Sequence, residues 1–367
     1  MKRLLITTDT VGGVWSYTVE LVSALHKLGF EIALASMGKK LNRAQRSEIS
    51  GLSNLQLFES RYKLEWMNDP WSDVDQTKEW LSSIAEFIAP DIVHLNGFSY
   101  GSVKWNIPSL IVAHSCVYSW YRAVKNKDPE SEQWSQYKES VSRGLEGVDY
   151  IVAPSKDMLD SLSSNYKVSF RGKVIFNGRN RHLFVPKIKD PYILTAGRLW
   201  DEGKNIRTLA SIAHRLPWQV LVAGEGIDEI SKGDVHWLGR CTPFEVGQWM
   251  GSASIYVLPA RYEPFGLSVL EAALCECALV LGNIASLREV WGDSAFFVDP
   301  EDGEQLQDTL QMLIHKPWIR REYGERARQR ALQFSVSRMV YSYLDLYQEL
   351  IDRNKFNSNH REKTLCA

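Results

Sequence analysis

The 367-residue chain has no apolar run long enough to cross a bilayer. The first such run, in MKRLLITTDTVGG, holds only about five residues, too few for a membrane span or the core of a signal peptide, and reads as a first strand. It also lacks a surplus of charge. Lys and Arg number 43 against 44 Asp and Glu, a net charge of -1, which gives a nucleic-acid partner no support. Counted to Asn165 the balance is 17 to 20, the wrong sign for attraction to an anionic membrane surface. Cysteines are few: Cys275 and Cys277 fall in an apolar helical stretch, Cys116, Cys241 and Cys366 are scattered, and no C-x-x-C occurs. A reduced, cytoplasmic setting is expected, with peripheral contact at the inner membrane face left open.

Several chemical signatures are missing too. There is no zinc-type Cys and His spacing, no G-x-S-x-G and no G-x-x-x-x-G-K-[ST]. G-x-G-x-x-G is absent from the first strand-to-helix turn, and the GEG of VAGEGIDEI fails its full spacing, so a plain dehydrogenase fingerprint is lacking. The one D-x-D, Asp73-Val74-Asp75, opens a polar helix, where aspartates favour the first turn; it reads as structural.

What is present is a folded-protein composition, 44% hydrophobic and 24% charged, on a chain longer than one core usually organises; two domains follow. The 13 Trp fit core and cleft packing, since membrane anchoring needs a matching amphipathic segment. Apolar runs alternate with helical periodicity, the pattern of a parallel α/β sheet. The first half predicts strands near residues 3–7, 31–36, 55–58, 91–95, 109–113 and 150–153, with helices at 15–27, 74–89 and 130–145. A basic segment ending in two prolines, from Asn165 to Pro191, reads as a crossover. Strands then restart near 192–195, 219–223, 235–238, 255–258, 279–281 and 296–298, with helices at 206–214, 243–250, 267–275 and 304–314. A last amphipathic helix at 336–351 follows Ser335, and the polar tail from Asn354 is expected to fray.

The segment ARYEPFGLSVLEAALCECALVLGN carries the most chemistry. Glu263 and Glu271 lie eight residues apart, about two helical turns, so both carboxylates can face one ligand. Between them the N–H groups of Gly266, Leu267 and Ser268 form a helix-start anion site, as a diphosphate lies between two sugars. This segment, with its E-P-F-G-L-S-x-L-E-A, resembles the donor-site signature of the retaining GT-B glycosyltransferases of family 4. TAGRLWDEGKN, beginning at Thr195, resembles that family's element of a Gly-Arg pair followed along the same loop by Lys-Asn, and VIFNGRN its V-I-x-N-G-V-D strand and turn, with Arg179 where an apolar residue is usual.

The resemblance covers nearly the whole chain and implies a GT-B fold: two facing Rossmann-like domains with parallel sheets and a central cleft whose closure assembles the site. An acceptor domain at 1–165, a linker at 166–190, a donor domain at 191–335, a C-terminal helix at 336–353 packing on the first domain and a flexible tail at 354–367 are expected. It implies that Arg198 and Lys204, near Gly197, clamp the diphosphate without a metal, that Glu263 holds sugar hydroxyls and that Glu271 holds the ribose. The paired glycines Gly12 and Gly13 would approach the donor's phosphate and sugar. His114, at a strand end, would contact the donor sugar, with Cys116 and Tyr118 shaping the acceptor side along with loops at 98–105 and 117–127. The implied reaction is sugar transfer with retention from a nucleoside-diphosphate sugar, UDP-sugar before GDP-sugar, to a hydroxyl on a sugar, lipid-linked sugar or small molecule. No cofactor or metal is expected. A nucleotide-sugar epimerase or phosphorylase of the same fold, and a non-catalytic nucleotide-sugar-binding subunit, stand as alternatives.

Overall fold

A computed structural model describes residues 2–224 and 235–365, with side chains described as far as Phe356. Glu225 and Gly226 of the GEG sequence, and Cys366, lie outside the described residues. The chain divides into two compact units: Met1–Tyr118 with Asp128–Phe176 and Val336–Ala367, and Ser119–Lys127 with Asn177–Ser335.

The first unit holds seven parallel strands, β1 (Arg3–Asp9), β2 (Glu31–Met37), β3 (Leu55–Glu59), β4 (Ile92–Leu95), β5 (Ser109–Val112), β6 (Tyr150–Ala153) and β7 (Gly172–Val174), in the order β3-β2-β1-β4-β5-β6-β7. Successive side chains of a strand point to opposite faces, so one apolar run feeds two layers. Leu5, Ala33, Val93 and Ile111 enter one layer under the helices Trp71–Ile88 and Glu132–Gly147; Leu4, Ile6, Leu34, Ile92 and Leu110 enter the other under Gly13–Lys27. The last helix, Val336–Leu365, closes that second layer with Met339, Val340, Tyr343, Leu346, Tyr347 and Leu350, an i, i+4, i+7 stripe.

The second unit holds six parallel strands, β8 (Asp190–Ala196), β9 (Gln219–Ala223), β10 (Val235–Gly239), β11 (Ala253–Leu258), β12 (Ala278–Gly282) and β13 (Phe296–Val298), in the order β10-β9-β8-β11-β12-β13. Every residue of β11 and β12 is buried, the signature of a central parallel strand covered on both faces. In each sheet the chain order reverses once, at β1/β4 and at β8/β11. Open α/β sheets bind ligands outside the carboxyl ends of their strands at such switch points.

Three expectations are corrected. The helix after Ser335 is continuous to Leu365, past the boundary expected at 353, in a stretch that lacks Gly and Pro. The basic crossover contributes β7, which pairs with β6 as the sheet's edge. The loop expected at 117–127 is largely a helix, Val117–Lys125.

Candidate functional site

Two loops at the switch point of the second sheet are bonded to each other. One leaves β8 and carries Gly197, Arg198 and Lys204; the other leaves β11 and carries Glu263. Backbone N–H groups of Arg261 and Tyr262 donate to Gly203 O at 2.9 and 3.2 Å, and Asn205 Nδ2 donates to Pro259 O at 2.9 Å and Pro300 O at 2.7 Å. Across this join the Lys204 ammonium pairs with the Glu263 carboxylate, with side chains only 16% and 10% exposed. Gly197 lies against the Lys204 stem, a Cβ there being 3.9 Å from Lys204 Cγ. Five of the expected residues are thus held by one pair of loops once Gly266, at the end of the second, is included.

Arg198 is the most exposed of this charged set at 39%. Its Nη2 donates to Asp201 Oδ2 at 2.8 Å, and its guanidinium lies 5.2 Å from the centre of the Trp200 ring. The other Asp201 oxygen accepts from Gly203 N at 3.0 Å and from the Trp120 indole at 2.9 Å. Burial pushes the Asp201 carboxyl up, but the charges of Arg198 and Lys204 and the bonds from Trp120 and Arg198 outweigh it, holding its pKa below the usual carboxylate value. Trp120 and Asp201 escape a reading by motif; only the spacing of Asp201, three residues from both cations, signals it.

The helix Leu267–Leu274 starts from Gly266 at φ +86°, a conformation that favours glycine; a Cβ there would meet Val269 Cγ2 at 3.0 Å. No side chain caps this start, so the N–H groups of Leu267 and Ser268 belong to an uncapped positive end. Glu271, one turn further, is not an open carboxylate. Arg179 Nε donates to its Oε1 at 2.6 Å, and the same guanidinium sits 5.2 Å from the Phe184 ring centre.

In the first unit, Gly12 (φ +67°) ends the turn after β1 and Gly13 begins the following helix. His114 lies two residues beyond β5. Its Nε2 is 2.7 Å from Asn96 Oδ1, while Asn96 Nδ2 donates to Thr7 O at 2.5 Å and so fixes which end of the amide faces the imidazole. Nε2 is therefore the donor of a neutral ring, and Nδ1 an acceptor. Burial lowers the His114 pKa to about 3, which keeps it neutral at physiological pH. Cys116 and Tyr118, expected to shape the acceptor side, are core residues: Cys116 Sγ lies 3.0 Å from Tyr166 Oη, and Tyr118 Oη donates to Trp134 O at 3.1 Å. The D-x-D is occupied structurally, Asp73 accepting from Lys63 N at 2.7 Å and Asp75 pairing with Lys78 at 3.0 Å.

Two family models match the chain in succession, Glycosyltransferase Family 4 over residues 11–182 and Glycosyl transferases group 1 over residues 190–316. The chain belongs to the group 1, family 4 glycosyltransferases. It is 23% identical to the alpha-maltose-1-phosphate synthase of Mycolicibacterium smegmatis over 93% of this chain and 96% of that protein. Among solved structures it resembles a sucrose-phosphate synthase from Thermosynechococcus elongatus (TM-score 0.80, 18% identity, 96% of this chain and 100% of that one). It also resembles Anabaena HepE in complex with UDP-glucose (TM-score 0.73, 13% identity, 95% and 100%). The glycosyltransferase has the GT-B fold of these neighbours, two Rossmann-like domains with parallel sheets. Among its described residues no helix is long and apolar enough to cross a membrane, and no cluster of three His, Cys, Asp or Glu is placed to hold a metal ion.

Proposed function

We propose that this enzyme transfers a sugar with retention from a nucleoside-diphosphate sugar, a UDP-sugar before a GDP-sugar, to a hydroxyl acceptor in polysaccharide, glycolipid or glycoside synthesis. The observation that carries the reading is the Arg198, Lys204 and Glu263 constellation at the second sheet's switch point. A departing diphosphate gathers negative charge as the sugar–oxygen bond breaks. Two cations on a preformed loop, beside an uncapped helix start, meet that charge without the reorganisation water would require. Such an arrangement does the work of a metal, so the reading includes independence from one. The UDP-glucose held by the Anabaena neighbour supports a UDP-sugar.

In this reading the second unit binds the donor and the first the acceptor. Glu263 accepts from hydroxyls of the donor sugar, Glu271 from the ribose, and Gly197, Gly266, Leu267 and Ser268 border the diphosphate. From the first unit, neutral His114 offers Nδ1 to a sugar hydroxyl, and the Gly12–Gly13 turn approaches phosphate and sugar with backbone alone. No residue of this set is an obvious covalent nucleophile, so the reading has the acceptor attack on the face the diphosphate leaves. In this reading the enzyme works in the cytoplasm, with peripheral contact at the inner membrane face left open.

Thermal stability against UDP, GDP, ADP and NAD, with and without EDTA, tests the reading, because a ligand at a hundred times its Kd adds about 2.7 kcal/mol. Stabilisation by one nucleoside diphosphate that survives EDTA is expected. Stabilisation by NAD alone, or by none of the four, overturns it.

A further inference from the structure

We propose that Trp120 and Asp201 are positioning residues that hold the Arg198 guanidinium in the orientation in which it meets the diphosphate. The inference rests on the reading of Arg198 as a diphosphate ligand. An arginine side chain is long, and its planar fork is useful only when aimed. Arg198 is 39% exposed, and its ion-pair partner is Asp201 at 2.8 Å. The aim of Arg198 is therefore set by how firmly Asp201 is held.

Asp201 is held from two sides. Its Oδ1 takes the Gly203 N–H at 3.0 Å and the Trp120 indole N–H at 2.9 Å, which leaves Oδ2 facing Arg198 in a fixed plane. A bland account makes Asp201 the cap of the short turn Glu202–Lys204. Capping explains the bond to Gly203; it explains neither the indole nor the guanidinium. The indole suits the task because it is a rigid neutral donor that fixes the carboxylate without competing for its charge. Its seat is close: a Cβ on Gly203 would lie 2.9 Å from Trp120 Nε1. The same segment is tied once more to this loop by Lys125 and Glu202 at 2.5 Å, an exposed pair that adds little by itself. Residues Ser119–Lys127 belong to the second unit although flanked in sequence by the first, as expected of a segment that serves this loop.

A double-mutant cycle tests the relay. UDP, GDP and ADP are titrated calorimetrically into the full chain, and the tightest binder serves as probe. Asp201→Asn and Trp120→Phe, each near in shape to the original, are made alone and in an Arg198→Ala background. Alone, Asp201→Asn is expected to weaken binding about tenfold and Trp120→Phe by a smaller factor, within the coupling seen between members of one network. In the Arg198→Ala background both effects shrink to within about twofold, since nothing is left to position. Wild-type affinity in both single variants, or their full cost without Arg198, overturns the proposal and makes the pair a structural brace. An Arg198→Ala protein that binds the probe as tightly as wild type, or a wild type that binds none of the three, overturns the reading of Arg198 itself. Should Asp201→Asn fail to fold, the Trp120→Phe cycle decides alone.

Discussion

Arg179 Nε donates to Glu271 Oε1 at 2.6 Å inside the second unit, where the two side chains are 7% and 11% exposed. The carboxylate assigned to the ribose therefore has one oxygen engaged by a buried cation before any nucleotide arrives. Arg179 is fixed in turn by Phe184 beneath its guanidinium and by its own N–H, which donates to Phe334 O at 3.2 Å. A buried pair of this kind is costly to halve and cheap to replace whole.

Arg179→Ala is accordingly expected to destabilise the protein by about 3–5 kcal/mol, since it strands a buried carboxylate. Replacing both partners by Met should restore most of that stability while abolishing the contribution of Glu271 to nucleotide binding. Urea denaturation and calorimetry on the two variants separate the roles. A double variant that keeps full nucleotide affinity would remove Glu271 from the site.

The alternation of apolar runs and helices made both sheets legible, because a strand buried on both faces needs a continuous apolar run and a parallel pair needs a covered crossover. Helices such as Arg43–Ile49, Lys156–Tyr166 and Ala285–Trp291 were not, since seven to eleven residues carry little period and their capping by Asn42 or Ser155 is local. Within the site, the loop residues Arg198, Lys204 and Glu263 were legible from a linear motif. Their partners were not: Trp120 lies 81 positions from Asp201 and Arg179 lies 92 from Glu271, so only the fold brings them together. For Arg179 the signal was a charged residue where the resemblance implies an apolar one.

The pH dependence of stability should carry the mark of His94. It is fully buried between Tyr17 Oη at 3.2 Å and Tyr347 Oη at 2.7 Å, with the rings of His114 and Tyr343 in the same cluster. Burial first, and the neighbouring His114 second, lower its pKa from 6.5 to about 3. The unfolded chain therefore binds a proton below pH 6.5 that the folded chain refuses. Stability from this group is full above pH 6.5 and falls by about 1.4 kcal/mol per pH unit towards pH 3. Replacing His94 by Gln should lower overall stability yet flatten the acid limb of the melting profile by about one proton. An unchanged slope would locate the acid sensitivity elsewhere, His114 being next.

Gly266→Ala should separate the helix-start anion site from the ion pairs. At φ +86°, with a Cβ 3.0 Å from Val269 Cγ2, alanine is expected to cost about 1–2 kcal/mol and to turn the first N–H groups of Leu267–Leu274 off their line. Affinity for a nucleoside diphosphate should fall while affinity for the parent nucleoside stays. Equal loss of both would make the change a general disturbance of the loop rather than of a phosphate contact.

Arg198 and Lys204 differ in what else they hold, and this allows their shared role to be tested apart from folding. Arg198 is partly exposed and the buried Asp201 it leaves behind keeps its bonds from Gly203 and Trp120, so Arg198→Ala should cost about 1.5–3 kcal/mol of stability, the loss of one bond to a charged group. Lys204 neutralises Glu263 in a nearly closed environment, so Lys204→Met leaves a buried carboxylate alone and should cost about 3–5 kcal/mol. In the proposed reaction the two would face the same growing charge, and loss of either is expected to lower kcat/KM about a hundredfold or more. The paired measurement is turnover, once a donor is identified by nucleotide binding, alongside urea denaturation. A hundredfold slower Arg198→Ala enzyme that loses no more stability than this assigns the loss to transition-state charge, because its fold is intact. Arg198→Ala at near wild-type turnover would leave Lys204 as the only cation of the pair acting on the leaving group, and the two-cation clamp would have to be abandoned.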